Sequence, residues 1–345
     1  MQITRIQGSY NRLRRRFFSN VYFARFFVII SVVLIALLTW VVVNKPISSG
    51  LRLVTGSPLL QVSGRTNILI LGTGGSGHEG PDLADTIIVA SVKLDTGETT
   101  LISIPRDLWV PSIRAKINTA YHYGFEKQGT GGGLLLAKSA VSESLNLPVH
   151  YVAKIDFSGF TKAIDILGGL DITIDRSFTD EKYPIPGKEN DLCDGDPDYK
   201  CRYETLNFSA GPVHLDGQSA LKFVRSRHSS DPQEGTDFAR SKRQEKVITA
   251  VKNKIFSIKN LKDTQVYKDL FSLVQQSVVT DITSEYFSTF FQLSLRAKNH
   301  PLKSMSIESL LENPPVSSRF DLQWVLIPKG NNYQTLFASV AAELK

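Results

Sequence analysis

The apolar positions of this chain fall into runs whose period changes from one segment to the next. Residues 26–43 (FFVIISVVLIALLTWVVV) contain no charge and no polar stripe. At about 1.5 Å per residue the run is roughly 27 Å long, enough to cross a hydrocarbon core, and it predicts a transmembrane helix. Residues 46–64 are rich in Ser, Gly and Pro and read as a linker. Three runs of strand length follow, at 67–71 (NILIL), 86–92 (TIIVASV) and 99–104 (TTLISI). They are apolar on both faces, as central strands covered on both sides are. Residues 134–145 space Leu134, Leu135, Ala137, Ala140, Val141 and Leu145 as a helix does. Residues 157–167 predict another helix, stopped by Gly168-Gly169, and 170–174 (LDITI) alternate as a strand. Thr236 is placed to cap a helix from Asp237 to about Ile255. Segments 270–279, 287–295 and 323–327 are apolar without a recognisable chemical motif. This mixed order predicts an α/β fold, a central mixed sheet flanked by helices, after one N-terminal transmembrane helix.

Charge sharpens the picture at the N-terminus. The chain carries 40 basic and 33 acidic residues, a formal charge of +7. Arg5, Arg12, Arg14, Arg15, Arg16, Arg25 and Lys45 all lie in the first 45 residues, where there is no acid. Those seven account for the whole excess, so the remainder is neutral and a general nucleic-acid surface is not expected. Arginines ahead of the span put the N-terminus in the cytoplasm by the positive-inside rule, and the residues after Lys45 outside. The two cysteines, Cys193 and Cys201, sit in an acidic stretch (DLCDGDPDYKC). Outside the membrane they can close a short disulfide loop, with two unpaired thiols as the alternative; two sulfurs with no nearby histidine make a poor metal site.

The candidate chemistry is arginine. Arg106 lies in SIPRD and Lys116 in KIN; Arg225 and Arg227 follow as an R-x-R pair, and Asp237, Arg240, Arg243 and Gln244 close the set. Guanidinium groups grip phosphate oxygens bidentately and keep their charge at biological pH, so a diphosphate is the expected guest. Arg225 and Arg227, two apart on an expected strand, would point to one face. Arg240, Arg243 and Gln244 would share one side of the following helix, with Asp237 in its first turn favouring the dipole and orienting an arginine. Asp82 and Asp85, just before the second strand, are candidate Mg²⁺ ligands, because Mg²⁺ takes few carboxylates plus phosphate and water. Gly72–Gly77 matches G-x-G-x-x-G, but Pro81 and the next strand leave no room for the helix that a dinucleotide needs. The glycines read instead as a tight loop beside a site.

The ordered motifs TNILILG, DTIIVASV, TLISIPRDLWV, KINTAYHYG, IDFSGF, GGLDITI, AGPVHLDGQSALKFVRSRH and DFARSKRQ resemble the LytR-CpsA-Psr (LCP) family from about Thr66 to Ile255. The resemblance implies a membrane-anchored phosphotransferase with an extracytoplasmic α/β domain. It would move a glycopolymer from an undecaprenyl-diphosphate carrier to a cell-wall acceptor such as peptidoglycan, with Mg²⁺ and an arginine cluster holding the diphosphate and an apolar cavity holding the lipid tail. By motif, Arg106, Arg225, Arg227, Asp237 and Arg240 are the catalytic candidates, Lys116, Arg243 and Gln244 bind substrate, and Asp85 with Asp82 holds the metal. Ala84 and Ala239 replace the family's usual serine and glycine. Gly74 stands where the family usually has an aspartate, so that either the metal is lost or Asp82 supplies the second carboxylate in its place. The expected division is a basic tail at 1–25, the span at 26–43, the linker at 44–64, the catalytic domain at 65–258 and a C-terminal α/β extension at 259–345 packed on or beside it. The alternatives are a polyprenyl-diphosphate hydrolase and a non-catalytic lipid-diphosphate binder or regulator.

Overall fold

The computed structural model describes residues 57–345 apart from 79, 189, 230, 232 and 258–263. The tail at 1–25, the expected span at 26–43 and the linker as far as residue 56 lie outside the described residues. Among the described residues, no helix is long and apolar enough to cross a membrane. Those residues divide into two units. The small one includes Ser57, Pro58 and Glu285–Thr289; in it the Ser57 hydroxyl donates to Glu285 Oε2 at 3.2 Å and Thr289 Oγ1 donates to the Ser57 carbonyl at 2.8 Å.

In chain order the elements are β1 (Arg65–Thr73), β2 (Ala84–Lys93), β3 (Thr99–Ser103), β4 (Trp109–Val110), β5 (Ala115–Lys116), α1 (Ala120–Leu145), β6 (Tyr151–Asp156), α2 (Phe157–Ile166), β7 (Leu170–Ile174), β8 (Phe178–Pro184), β9 (Tyr203–Phe208), β10 (Gly211–Leu215), α3 (Gly217–Arg225) and α4 (Asp237–Ile255). After them come α5 (Thr264–Ser277), β11 (Val278–Thr280), α6 (Phe287–Ala297), β12 (Lys303–Ser306), β13 (Leu311–Glu312), β14 (Ile327–Pro328) and α7 (Tyr333–Glu343).

A six-stranded sheet, ordered β11-β6-β1-β2-β3-β12, organises the larger unit. Its β1, β2 and β3 are antiparallel neighbours, while β6 joins β1 and β12 joins β3 in parallel, so the sheet is mixed. Strand period two sends Leu69, Leu71, Ile87, Val89 and Ile102 to one face, against Val141 and Leu145 of α1 and Leu336 and Val340 of α7. Ile70, Ile88, Ala90 and Leu101 take the other face, where Ile248 of α4 meets them. Leu69, Val89 and Ile102 are 0% exposed, and each such side chain contributes about 1.5–3 kcal/mol by burial. A second core joins α2, α3 and α4 to the β7–β10 pair through Ile164, Leu170, Ile172, Phe223 and Val247.

Four differences from the sequence expectations stand out. The C-terminal segment is no appendage: it supplies β11 and β12, both edges of the sheet. Within the expected linker, Leu59 is buried and the Leu60 N–H donates to Tyr151 Oη at 2.9 Å, so 59–64 belong to the fold. Helix α1 begins at Ala120, with a break where Gln128 (φ −142°) and Gly129 (φ +63°) leave helical geometry. Its halves meet backbone to backbone, since a Cβ on Gly124 would lie 2.3 Å from the Gly132 carbonyl oxygen. Finally, Arg225 and Arg227 are not on a strand. Asp216 caps α3 by accepting from Ser219 N at 2.7 Å, Ala220, Leu221, Phe223 and Val224 bury one side, and Arg225 is the last helical residue. Cys193 and Cys201 are joined in a disulfide, with Cα atoms 5.5 Å apart.

Candidate active site

Six parts of the fold converge on one cavity of about 230 Å³. The start of β2 brings Asp85 and Thr86, and the turn after β3 brings Arg106. The ends of α3 and β8 bring Arg225, Arg227, His228, Asp180 and Tyr183, while α2 adds Phe157 and α4 adds Arg240 and Gln244. The four guanidinium groups outnumber the two carboxylates, so the walls carry a surplus of positive charge. The volume is below the roughly 300–1,000 Å³ of pockets for drug-sized ligands, and suits an anionic head group.

The arginines reach the cavity because buried groups hold their backbone. Asp180 is 0% exposed. Its Oδ2 accepts from Ser226 Oγ (2.7 Å), Arg227 N (2.9 Å) and His228 N (3.2 Å), and its Oδ1 accepts from Lys182 N at 3.0 Å. Burial pushes its carboxyl upward, but the bonds from Ser226, His228, Arg227 and Lys182 outweigh burial and hold it below its ordinary value. The strap carrying Arg227 is therefore wrapped around a buried anion. Arg225 lies between two rings, its Cζ 4.3 Å from the centroid of Phe157 and 5.5 Å from that of Tyr183, and donates to Tyr183 Oη at 3.2 Å. Gln244 Nε2 donates to Thr86 Oγ1 at 3.4 Å, linking α4 to β2.

Arg243, expected at the substrate, sits elsewhere. It is 3% exposed and is not on the cavity wall. Its guanidinium donates to the carbonyls of Phe223 (3.1 Å), Ser226 (2.7 Å) and Glu234 (3.1 Å), and to Glu234 Oε2 at 2.8 Å. The Phe223 and Ser226 carbonyls are those at the negative end of α3, which a helix leaves unpaired. Desolvation lowers the Arg243 guanidinium from its ordinary value against the pull of Glu234. Arg243 ties α4 to the end of α3 and so positions Arg225 and Arg227. Arg240, one turn earlier, faces the cavity.

Arg106 Nη1 donates to Asp85 Oδ1 at 2.5 Å, and its Nε lies 3.6 Å from Asp107 Oδ2. Lys116 Nζ bonds Asp107 Oδ1 at 2.7 Å, so the expected substrate lysine stands one ion pair behind the cavity rather than on its wall. Asp82 is likewise off the wall, its Oδ1 3.8 Å from Lys154 Nζ. Asp237 opens α4, and its side chain lies outside the described residues. At residue 74 a Cβ would come 2.8 Å from the His78 Cβ, so His78 fills the space that a side chain there would need. Of the carboxylates considered for Mg²⁺, Asp180 is fully engaged by hydrogen bonds and Asp82 lies off the wall; Asp85 stands on the wall with its Oδ1 already bonded to Arg106, so Oδ2 is the oxygen it could offer a cation. Among the described residues, the one cluster of three close ligand atoms is Asp191, Cys193 and Cys201, and both its sulfurs are in the disulfide. The sequence reading missed Asp180, Tyr183, Phe157 and His228; an isolated aspartate in a strand gives no signal of a partner 46 residues away.

Among known proteins, the chain is similar to the polyisoprenyl-teichoic acid–peptidoglycan teichoic acid transferase TagU of Enterococcus faecalis, with 27% identity over 223 residues, 63% of this chain and 61% of that one. It spans about three fifths of the length of the curated relatives it matches. Its fold is like the crystal structure of Bacillus subtilis TagU (TM-score 0.53, 22% identity, 81% of this chain and 97% of that one). It is also like TagT bound to LI-WTA (TM-score 0.53, 18% identity, 83% and 94%). A family model covers residues 44–339, taking in every element of the cavity and both edge strands of the sheet; the chain belongs to the LytR_cpsA_psr family.

Proposed function

We propose that this protein transfers a glycopolymer from an undecaprenyl-diphosphate carrier to a cell-wall acceptor such as peptidoglycan. The observation that carries the reading is the convergence of Arg106, Arg225, Arg227 and Arg240 on one cavity that also holds Asp85. The names of the TagU relatives support the same substrate class. An acceptor hydroxyl attacks the phosphorus that bears the glycan. The bond from that phosphorus to the bridging oxygen breaks, the polyprenyl monophosphate leaves, and the acceptor proton passes to solvent or a base. Charge that builds on the leaving phosphate is met by guanidinium groups already fixed in place, the usual source of catalysis in phosphoryl transfer. Asp85 is the residue that would hold Mg²⁺, which would add positive charge against the diphosphate, with phosphate oxygens and water completing its shell. Residues 26–43 would anchor the chain in the cell membrane, with the N-terminus cytoplasmic and the cavity outside. The test is to incubate the full-length protein with a lipid-diphosphate glycan, peptidoglycan and Mg²⁺. Glycan on peptidoglycan together with released polyprenyl phosphate is expected. Release without attachment would make the protein a hydrolase, and no turnover would leave a binder.

A further inference from the structure

The loop before β14 presents Leu322 and Trp324 to solvent, 72% and 49% exposed, from a rigid base. Beneath them Trp109, Phe320, Val325 and Ile327 form a buried cluster, in which the Trp109 and Phe320 rings meet edge to face at 5.5 Å. The loop is fastened to the turn that carries Arg106: Leu326 N donates to the Asp107 carbonyl at 2.9 Å, and Trp109 N to the Leu326 carbonyl at 2.9 Å. Asp321 and Leu322 are both left-handed, at φ +50° and +59°, a region that side chains as bulky as leucine seldom enter. Arg114, also left-handed at φ +49°, bonds Asp321 Oδ1 at 2.5 Å and holds the bend. The buried cluster and the Arg114–Asp321 pair thus hold the exposed indole on a backbone conformation that costs free energy.

Lys116 Nζ lies 5.8 Å from the centroid of the Trp324 ring and is paired with Asp107, which faces Arg106 on the cavity wall. A chain of three contacts, Trp324 to Lys116 to Asp107 to Arg106, links the platform to the cavity wall. The platform offers an apolar face, rimmed by the exposed guanidinium of Arg114 and carboxylate of Asp321. A pyranose matches that layout: its C–H face packs on an indole, while its hydroxyls take and give hydrogen bonds at the rim. We propose that Trp324, flanked by Leu322, is a stacking platform for an N-acetylhexosamine ring of the acceptor glycan strand. This rests on the reading of the acceptor as peptidoglycan.

The test uses the full-length protein in detergent micelles and the β-1,4-linked tetramer of N-acetylglucosamine, followed by calorimetry and tryptophan emission. Of the two tryptophans among the described residues, Trp109 is 5% exposed and Trp324 is the one open to the sugar; Trp40 belongs to the expected span. Saturable binding is expected, with a blue shift of emission. Trp324→Ala should weaken it about tenfold or more, and Trp324→Phe, which keeps a ring, by less than about threefold. Arg106→Ala should bind the tetramer as the wild type does while losing turnover, so failure of the platform and failure of the transferase reading are separate results. Binding by Trp324→Ala within about twofold of wild type would overturn the platform. So would absence of saturable binding by the wild type, or an emission shift produced by phosphatidylglycerol vesicles and not by the sugar.

Discussion

Asp180→Asn removes one charge from the buried centre of the site and changes almost no volume. In the better orientation the amide oxygen takes the place of Oδ2 and still accepts from Ser226, Arg227 and His228; the amide nitrogen then faces the Lys182 N–H, donor against donor. One buried donor left unsatisfied costs about 1–3 kcal/mol. The three remaining bonds lose their charge assistance, at about 0.5–1 kcal/mol each. Partial relaxation of the strap reduces the total, so a loss of about 3 kcal/mol is expected. At about 2–4 °C per kcal/mol, thermal unfolding at pH 7 should fall by roughly 6–12 °C. The pH dependence gives a second reading. The folded carboxyl lies below its ordinary value, so its stabilisation is fully present above an unfolded pKa of about 3.9 and is lost as pH falls through the folded value. The gap between wild type and Asp180→Asn should therefore be constant from neutral pH to about pH 5 and close in stronger acid. Turnover measured where both proteins are folded should also drop, because Arg227 loses its frame. A variant within about 0.5 kcal/mol of wild type at pH 7 would refute this account of the strap.

Arg243→Leu leaves the Glu234 carboxylate and the α3 carbonyls without their cation, a change expected to cost about 3–5 kcal/mol. Its urea midpoint should fall with an unchanged slope, and Arg243→Lys should restore only part. Mg²⁺-dependent turnover should vanish in Asp85→Ala and in excess EDTA, while Asp82→Ala, whose carboxylate faces Lys154, should keep its Mg²⁺ titration; a strong shift there would make Asp82 a ligand. Native protein should show no alkylatable thiol until reduced, and replacing Cys193 and Cys201 by serine should cost up to about 2.5 kcal/mol, since the closed loop is short.

The main sheet was legible because doubly apolar runs have few other uses. The expected strand at 170–174 is β7, and Thr236 caps α4 by accepting from Ala239 N at 3.0 Å. Helix α3 was missed because its nine residues hold two short apolar clusters that a strand could also use, although Asp216 was a capping signal. The first half of α1 was missed because Gly129–Gly133 reads as a breaker; the sequence does not show that the glycines are there so two helix halves can touch. At the site, motif order found the arginines but could not say which way each points. Arg240 and Arg243 share a helix and differ in what packs over them: the cavity for one, the end of α3 for the other. The framing role of Asp180 depends on a strap 46 residues further along, which nothing local encodes.

The most direct test of the account is the turnover of Arg106→Ala with a lipid-diphosphate glycan, peptidoglycan and Mg²⁺, beside Arg106→Lys. If the guanidinium that bonds Asp85 stabilises the transition state, the alanine variant should lose more than about tenfold in kcat/KM, about 1.4 kcal/mol or more. Lysine, a point charge without the planar fork, should recover only part of it. Wild-type turnover in Arg106→Ala would contradict the account and take Arg106 out of the chemistry.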